Sequence, residues 1–274
     1  MNRYMVYGTA CLLVIAIAGC TSQYPKAEPT KYERAAENVS MQQSDMETDI
    51  NKTYINKDKL QSRSYISKPP SKNAEKDKVI LDVPLIRQNP ELKYGCEVTS
   101  LAMVLKYAGI ETDKLELAEE LPKDKDPQQT SNSGDITRWG NPDHGFVGDI
   151  TGKSAGFAVY AGPLEKLMKH YLQDRTLNLT KKPFNDILAQ IEKGKPVILW
   201  TTGDYKIPNR WETWKHEGET ISSPLDLHAV VLVGYDQDHL FLNDPLTGKK
   251  TYKTKKDSFL KSWDALGKQA LSYD

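Results

Sequence analysis

The chain has 274 residues, with 37 Lys+Arg set against 37 Asp+Glu. A formal net charge of zero is unlike that of a nucleic-acid binder, which carries a basic excess. The length accommodates one domain with a sizeable core and still leaves chain outside it.

After Arg3 comes the apolar run 5–18, too short for a comfortable membrane span and proportioned like a signal peptide. It ends in Ile17-Ala18-Gly19-Cys20, which resembles the bacterial lipobox. The resemblance implies a signal peptide over 1–19, cleavage before Cys20, lipidation of that thiol, and a protein anchored to the cell membrane facing outside the cytoplasm. Cys11 then leaves with the signal peptide and Cys20 is blocked, so Cys96 is the single free thiol and no intramolecular disulfide forms. Residues 20–78 are polar, with Pro25, Pro29, Pro69 and Pro70 among many Lys, Glu, Ser and Asn. Such a composition buries too little apolar surface to offset chain entropy and predicts a disordered tether. As a flexible coil it spans on the order of 40 Å.

The domain is expected over 79–274. Val79–Ile86 reads as a strand interrupted by Pro84, hence an edge strand or an entry segment. Val98, Leu101, Ala102, Leu105 and Ala108 recur at helical spacing and Gly109 supplies a stop, which predicts an amphipathic helix with Cys96 at its N-terminus. That position favours an anion and predicts a lowered thiol pKa. Asp113 caps a second helix that ends at Pro122. Residues 123–162 read as a long loop, and connections of this length are usually functional. Its Trp139, Gly145 and Phe146 are expected to bind substrate. Pro163 and Pro183 each open a helix, and Pro196–Trp200 is a buried strand. A second long loop, 201–226, holds Trp211, Trp214 and His216. The runs 227–235 and 239–244 form an antiparallel hairpin. A basic strand at 249–255, a helix at 257–266 and a last short strand follow. Helices early and antiparallel strands late make the fold α+β.

A thiolate nucleophile needs a base, and the base needs a group that fixes its tautomer. Cys96, His228 and Asp244 can fill these roles in chain order. Register decides the third member. If the hairpin turns symmetrically about Gln237, Asp244 shares a face with His228; a two-residue turn puts Asn243 there instead. Asp244 is preferred because a carboxylate stabilises imidazolium better than an amide. The backbone N–H of Cys96 and the side chain of Gln88 are candidate oxyanion donors. A metal site from His144, His216 and His239 has no two ligands spaced on one element, so neither metal nor cofactor is expected.

Gln88 with Tyr94-Gly95-Cys96-Glu97, Gly145-Phe146-Val147-Gly148, and His228-Ala229-Val230-Val231-Leu232-Val233-Gly234-Tyr235 before Asn243-Asp244-Pro245 resemble the C39-like cysteine peptidases. The resemblance implies a papain-like fold with Cys96 as nucleophile, His228 as base, Asp244 as orienter and Gln88 in the oxyanion hole. The Gln-to-Cys spacing is longer than in the transporter-fused members that cut double-glycine leaders, so that substrate is not implied. The expected function is a lipid-anchored cysteine hydrolase acting on a peptide, such as a cell-wall peptide, or a related amide. Two alternatives remain at this stage: acyl transfer by the same triad, as in transglutaminases, and a catalytically silent module binding peptide or carbohydrate with Trp139 and the Trp211–Trp214 loop.

Overall fold

The computed structural model describes residues 78–274. The signal peptide expected at 1–19, the lipidation site Cys20 and the tether up to residue 77 lie outside the described residues. Among those described, no helix is long and apolar enough to cross a membrane.

The first helix, α1 (Cys96–Tyr107), buries every residue from Cys96 to Leu105. It is therefore a central helix and not the amphipathic one expected, because its polar side, Glu97, Thr99 and Ser100, is enclosed as well. Gly109 ends it at φ 81°, the left-handed conformation that glycine adopts without steric cost. In α2 (Lys114–Glu120), Asp113 accepts from the N–H groups of Leu115 and Glu116, as a cap should. Helix α3 (Ala161–Leu172) begins two residues before Pro163, and α4 (Phe184–Glu192) uses Pro183 as its cap residue.

The main sheet is built on β10 (Leu227–Tyr235). On one side it pairs with β11 (His239–Asp244) and then β12 (Lys249–Lys255). On the other it pairs with β7 (Val197–Thr202), followed by β13 (Ala270–Tyr273) and β6 (Thr176–Asn178). The expected strand at 79–86 is reduced to β1 (Val79–Ile80), which pairs with the far end of β10. There Val79 and Ile80 come so close to Gly234 that a Cβ would collide with their backbone.

Both faces of β10 are covered, which is why it reads as an unbroken apolar run. Ala229, Val231 and Val233 join the core cluster that contains α1 and α3, while Val230 and Leu232 join the one formed with Ile187 and Ile191 of α4. Phe259 and Trp263 of α5 (Lys256–Ala265) complete this second layer. The observed architecture is a mixed α+β fold.

The two long loops are the main departure from expectation. They contain β2 (Lys123–Asp124), β3 (Gln129–Thr130), β4 (Ile136–Arg138), β5 (Phe146–Val147), β8 (Glu212–His216) and β9 (Glu219–Ser223). β3, β4, β8 and β9 form a second sheet of four strands, and β2 pairs with β5. Strand β4 meets β8 through the distant pair Arg138 and Lys215, so no local pattern reveals it. The β8–β9 hairpin did carry a signal. Glu217 and Gly218 sit at φ 46° and 90° between the paired His216 and Glu219, a tight primed-type turn with glycine at its second position.

Candidate active site

Cys96 opens α1 directly after Gly95, where a Cβ would press on the Leu92 side chain. The helix lies against β10, to which Ser100 Oγ donates a hydrogen bond at the carbonyl of Ala229, 3.3 Å away. The backbone N–H of Ala229 is directed at the Cys96 thiol, so Sγ meets the strand one residue from His228. Cys96 is the one free cysteine among the described residues and is buried.

The thiol donates to Glu97 Oε2 at 3.2 Å. Glu97 Oε1 in turn accepts from the backbone N–H of Val159 at 3.1 Å, and the side chain is fully buried. Burial pushes the Glu97 carboxyl up to about 7. Burial, and after it the Glu97 charge, pushes the Cys96 thiol well above its usual value. The thiolate-favouring helix N-terminus is thus outweighed. Desolvation acts on the whole charge, whereas the helix end contributes only partial charges. Glu97 was not expected as a site residue, although the one acid of α1, directly beside the cysteine, is a visible signal.

His228 Nε2 lies 2.9 Å from Asp244 Oδ1, with both side chains enclosed. Asp244 Oδ1 also accepts from the N–H of Leu246 at 2.8 Å, and Oδ2 accepts from the Tyr205 hydroxyl and the Thr247 hydroxyl, each at 2.7 Å. Burial opposes the charge on this carboxylate, but the His228 hydrogen bond and charge, with Tyr205 and Thr247, hold its pKa below the usual carboxylate range. Burial and the facing Asp244 push the Tyr205 phenol up. Tyr205 had no sequence signal, since it lies 39 residues from Asp244 and reaches it only through the fold, whereas Thr247 is three residues beyond Asp244 in the same turn and was legible there as a local partner. Asn243 points elsewhere: its Nδ2 donates to the carbonyl of Val83 and its Oδ1 accepts from the N–H of Thr251, both at 2.9 Å.

The register that separates these neighbours is not the one a symmetric turn produces. Near the turn, Tyr235 pairs with Leu240 and Gly234 with Phe241, the spacing that would have carried Asn243 to the His228 face. A bulge between Leu232 and Gly234 inserts one extra residue. From there Leu232 pairs with Leu242 and Val231 with Asn243, which restores Asp244 to the face of His228.

Gln88 is buried and donates through Nε2 to the carbonyl of Lys93 at 2.7 Å. Its own N–H donates to the carbonyl of Pro245 at 3.0 Å, tying the segment before Cys96 to the strand end that follows Asp244. Lys114 Nζ holds this segment from α2 through the carbonyls of Arg87 and Gln88, at 2.6 and 2.9 Å. Oε1 of Gln88 is buried without a hydrogen-bond partner among the described residues.

The residues expected to contact substrate divide differently. Trp139 and Phe146 are core residues, and Trp139 packs against Phe157 and Trp214 with ring centroids 6.0 and 6.1 Å apart. Gly145 lies against backbone atoms of Pro122, Lys123 and Asp124, all within 2.8 Å of where a Cβ would stand. Gly145 and Phe146 are thus packing positions, because the aromatic and glycine pattern that suggested a ligand surface packs the smaller sheet onto the core, while Trp139, though largely buried, still borders a cleft with Asp124, Gly148 and Asp149. Trp211 remains exposed and borders a cleft with Tyr160, Gly162 and Gln269. Tyr160 directly follows Val159, whose N–H holds Glu97.

A model of the Peptidase_C39 like family matches residues 80–271. The uncharacterized Bacillus subtilis (strain 168) protein YvpB is 40% identical over 193 residues, which is 70% of this chain and 74% of that protein. A crystal structure described as that of a candidate C39-like peptidase from Bacillus anthracis matches with a TM-score of 0.66 at 40% identity, covering 72% of this chain and 98% of the other.

Proposed function

The chain belongs to the Peptidase_C39 like family, matched over residues 80–271, and from this membership we propose that it is a papain-like cysteine hydrolase that cleaves a peptide or related amide bond through Cys96, His228 and Asp244. The observation that carries the reading is the buried His228 Nε2 to Asp244 Oδ1 contact of 2.9 Å, on the strand against which the Cys96 helix packs. With Nε2 committed to the carboxylate, Nδ1 is the ring nitrogen that takes the thiol proton.

Sγ then bonds to the scissile carbonyl carbon as the carbonyl π electrons move to oxygen. The Cys96 N–H and the second proton of Gln88 Nε2, whose first is given to Lys93, receive the oxyanion. The imidazolium returns its proton to the leaving nitrogen as the C–N bond breaks, leaving a thioester. Water, giving its proton to His228, releases the acid and restores the thiol. The resemblance of Ile17-Ala18-Gly19-Cys20 to a lipobox supports a lipid anchor at Cys20 and chemistry outside the cytoplasm, and the substrate in this reading is a peptide, such as a cell-wall peptide.

A peptide-based electrophile tests the nucleophile. It is expected to add one covalent mass to native protein at Cys96, with none added to Cys96→Ala and turnover of any amide substrate abolished in that variant. Modification only after denaturation would return Cys96 to a packing role. For the anchor, Cys20→Ala is expected to move the protein from the membrane fraction to the medium, and undiminished membrane retention would rule lipidation out.

A further inference from the structure

The two histidines of the long loops meet at a carboxylate. His216 Nε2 lies 2.9 Å from Asp124 Oδ2, and His144 Nδ1 lies 3.9 Å from the same oxygen. One ligand atom from each of the three side chains falls within 4.8 Å of the others. The rings of His144 and His216 stand edge to face with centroids 5.1 Å apart. The pairing of these histidines could not be read from spacing, since each lies on a different loop strand or turn. His239, the third histidine considered for a metal, is elsewhere and binds Asp236 at 2.9 Å.

The cluster is built rather than incidental. Asp124 is fixed by backbone, its Oδ2 accepting from the N–H of Asn141 and its Oδ1 from that of Asp126, each at 3.0 Å. Gly140 lies against the carboxyl carbon so closely that a Cβ would stand 2.9 Å from it. His216 is 3% exposed, and its Nδ1 is buried with no hydrogen-bond partner among the described residues. Its polar contacts are therefore directed wholly at the acids beside it, Asp124 and, at 3.8 Å, Asp126. Asp126 is itself held by Arg138 at 2.8 Å. His144 is half exposed, so the remaining side of the cluster opens to solvent.

We propose that Asp124, His144 and His216 form a binding site for a zinc-class divalent cation, with water in the fourth position. Two imidazoles and one carboxylate suit a borderline metal and not the all-oxygen shells of calcium or magnesium. Tetrahedral ligands about 2.0–2.2 Å from zinc stand roughly 3.3–3.6 Å from one another. Replacing the proton between His216 and Asp124 with the cation thus requires that contact to open by a few tenths of an ångström, while the exposed His144 swings in by roughly 1 Å to bring the widest ligand separation, now up to 4.8 Å, into the tetrahedral range. The ion would clamp β2, the turn holding His144 and the end of β8, joining the two loops into one wall. This proposal stands independently of the hydrolase reading.

The test uses the full chain in detergent with Cys96→Ala, which removes the thiol site. After chelation, titration with Zn²⁺ alone against a competing chromophoric chelator is expected to give one equivalent that is lost, by more than about a hundredfold in affinity, on adding His144→Asn; this exceeds the usual cost of an outer-shell change. His144 is exposed, so the loss would not reflect unfolding. Zn²⁺ is also expected to raise the thermal midpoint with concentration in the parent and not in the His144→Asn protein. Co²⁺ should give visible ligand-field bands without a thiolate charge-transfer band. An equivalent that survives His144→Asn, or that disappears with Cys96→Ala alone, would overturn the proposal.

Discussion

Asp244→Asn is expected to reduce turnover by a large factor, with about 10⁴-fold, the loss where an amide also imposes the wrong tautomer, as its upper bound, while leaving the protein folded. The contacts around Asp244 explain how both can hold. An asparagine oxygen placed at Oδ1 still accepts from His228 and from the N–H of Leu246. Its NH₂ at the Oδ2 position faces the hydroxyls of Tyr205 and Thr247, which can rotate and accept where they had donated. The ring keeps its place, but the imidazolium formed during acylation loses its counter-charge. Asn243→Ala is the converse. It removes the hydrogen bonds to Val83 and Thr251 and should destabilise the protein by about 1–3 kcal/mol with turnover per folded molecule little changed. Denaturant unfolding together with active-site-normalised rates separates the two. A crippled Asn243→Ala enzyme beside a nearly normal Asp244→Asn enzyme would reject the assignment of Asp244.

Glu97→Gln is expected to move the pH profile of Cys96 alkylation downward by about one unit or more, roughly tenfold in rate at a fixed pH where the thiol still titrates. The amide keeps an oxygen for the Val159 N–H but removes the charge that, after burial, opposes the thiolate. Wild-type alkylation should be slow until the pH is well above the ordinary thiol range. Coincident profiles for the two proteins would mean that Glu97 does not govern the thiol. Stability supplies a second readout. The folded Glu97 pKa, about 7 against a reference of 4.5, is raised, so its protonated form contributes stability that is fully present below about pH 4.5 and lost as pH rises through 7. The size is about 3 kcal/mol. Wild type should therefore lose stability relative to Glu97→Gln between these pH values, and a constant difference would exclude the shift.

Much of the domain was legible because its signals are local. Asp113 caps α2 as its side chain allows, and the apolar runs of β7, β10 and β11 lie where their composition puts them. The smaller sheet was read as loop because its strands are two to five residues long and largely polar, and because β4 finds β8 through a pair far apart in the chain, Arg138 with Lys215. Trp139, Gly145 and Phe146 were consequently assigned to a ligand surface when they pack beneath that sheet.

The sequence by itself determined the helix that Cys96 opens, the late strands that carry His228 and Asp244, and the narrowing of the third member to two adjacent acceptors, Asp244 and Asn243. Those depend on spacing, turn residues and side-chain chemistry, all of which act over a few positions. Tertiary structure alone decided which acceptor meets the imidazole, because the turn register favours Asn243 and only the bulge between Leu232 and Gly234 reverses it. It also decided the state of the thiol. A helix N-terminus can be read in a sequence, but full enclosure of Cys96 against Glu97 and the backbone of Ala229 depends on how the helix is buried, and desolvation outweighs the dipole.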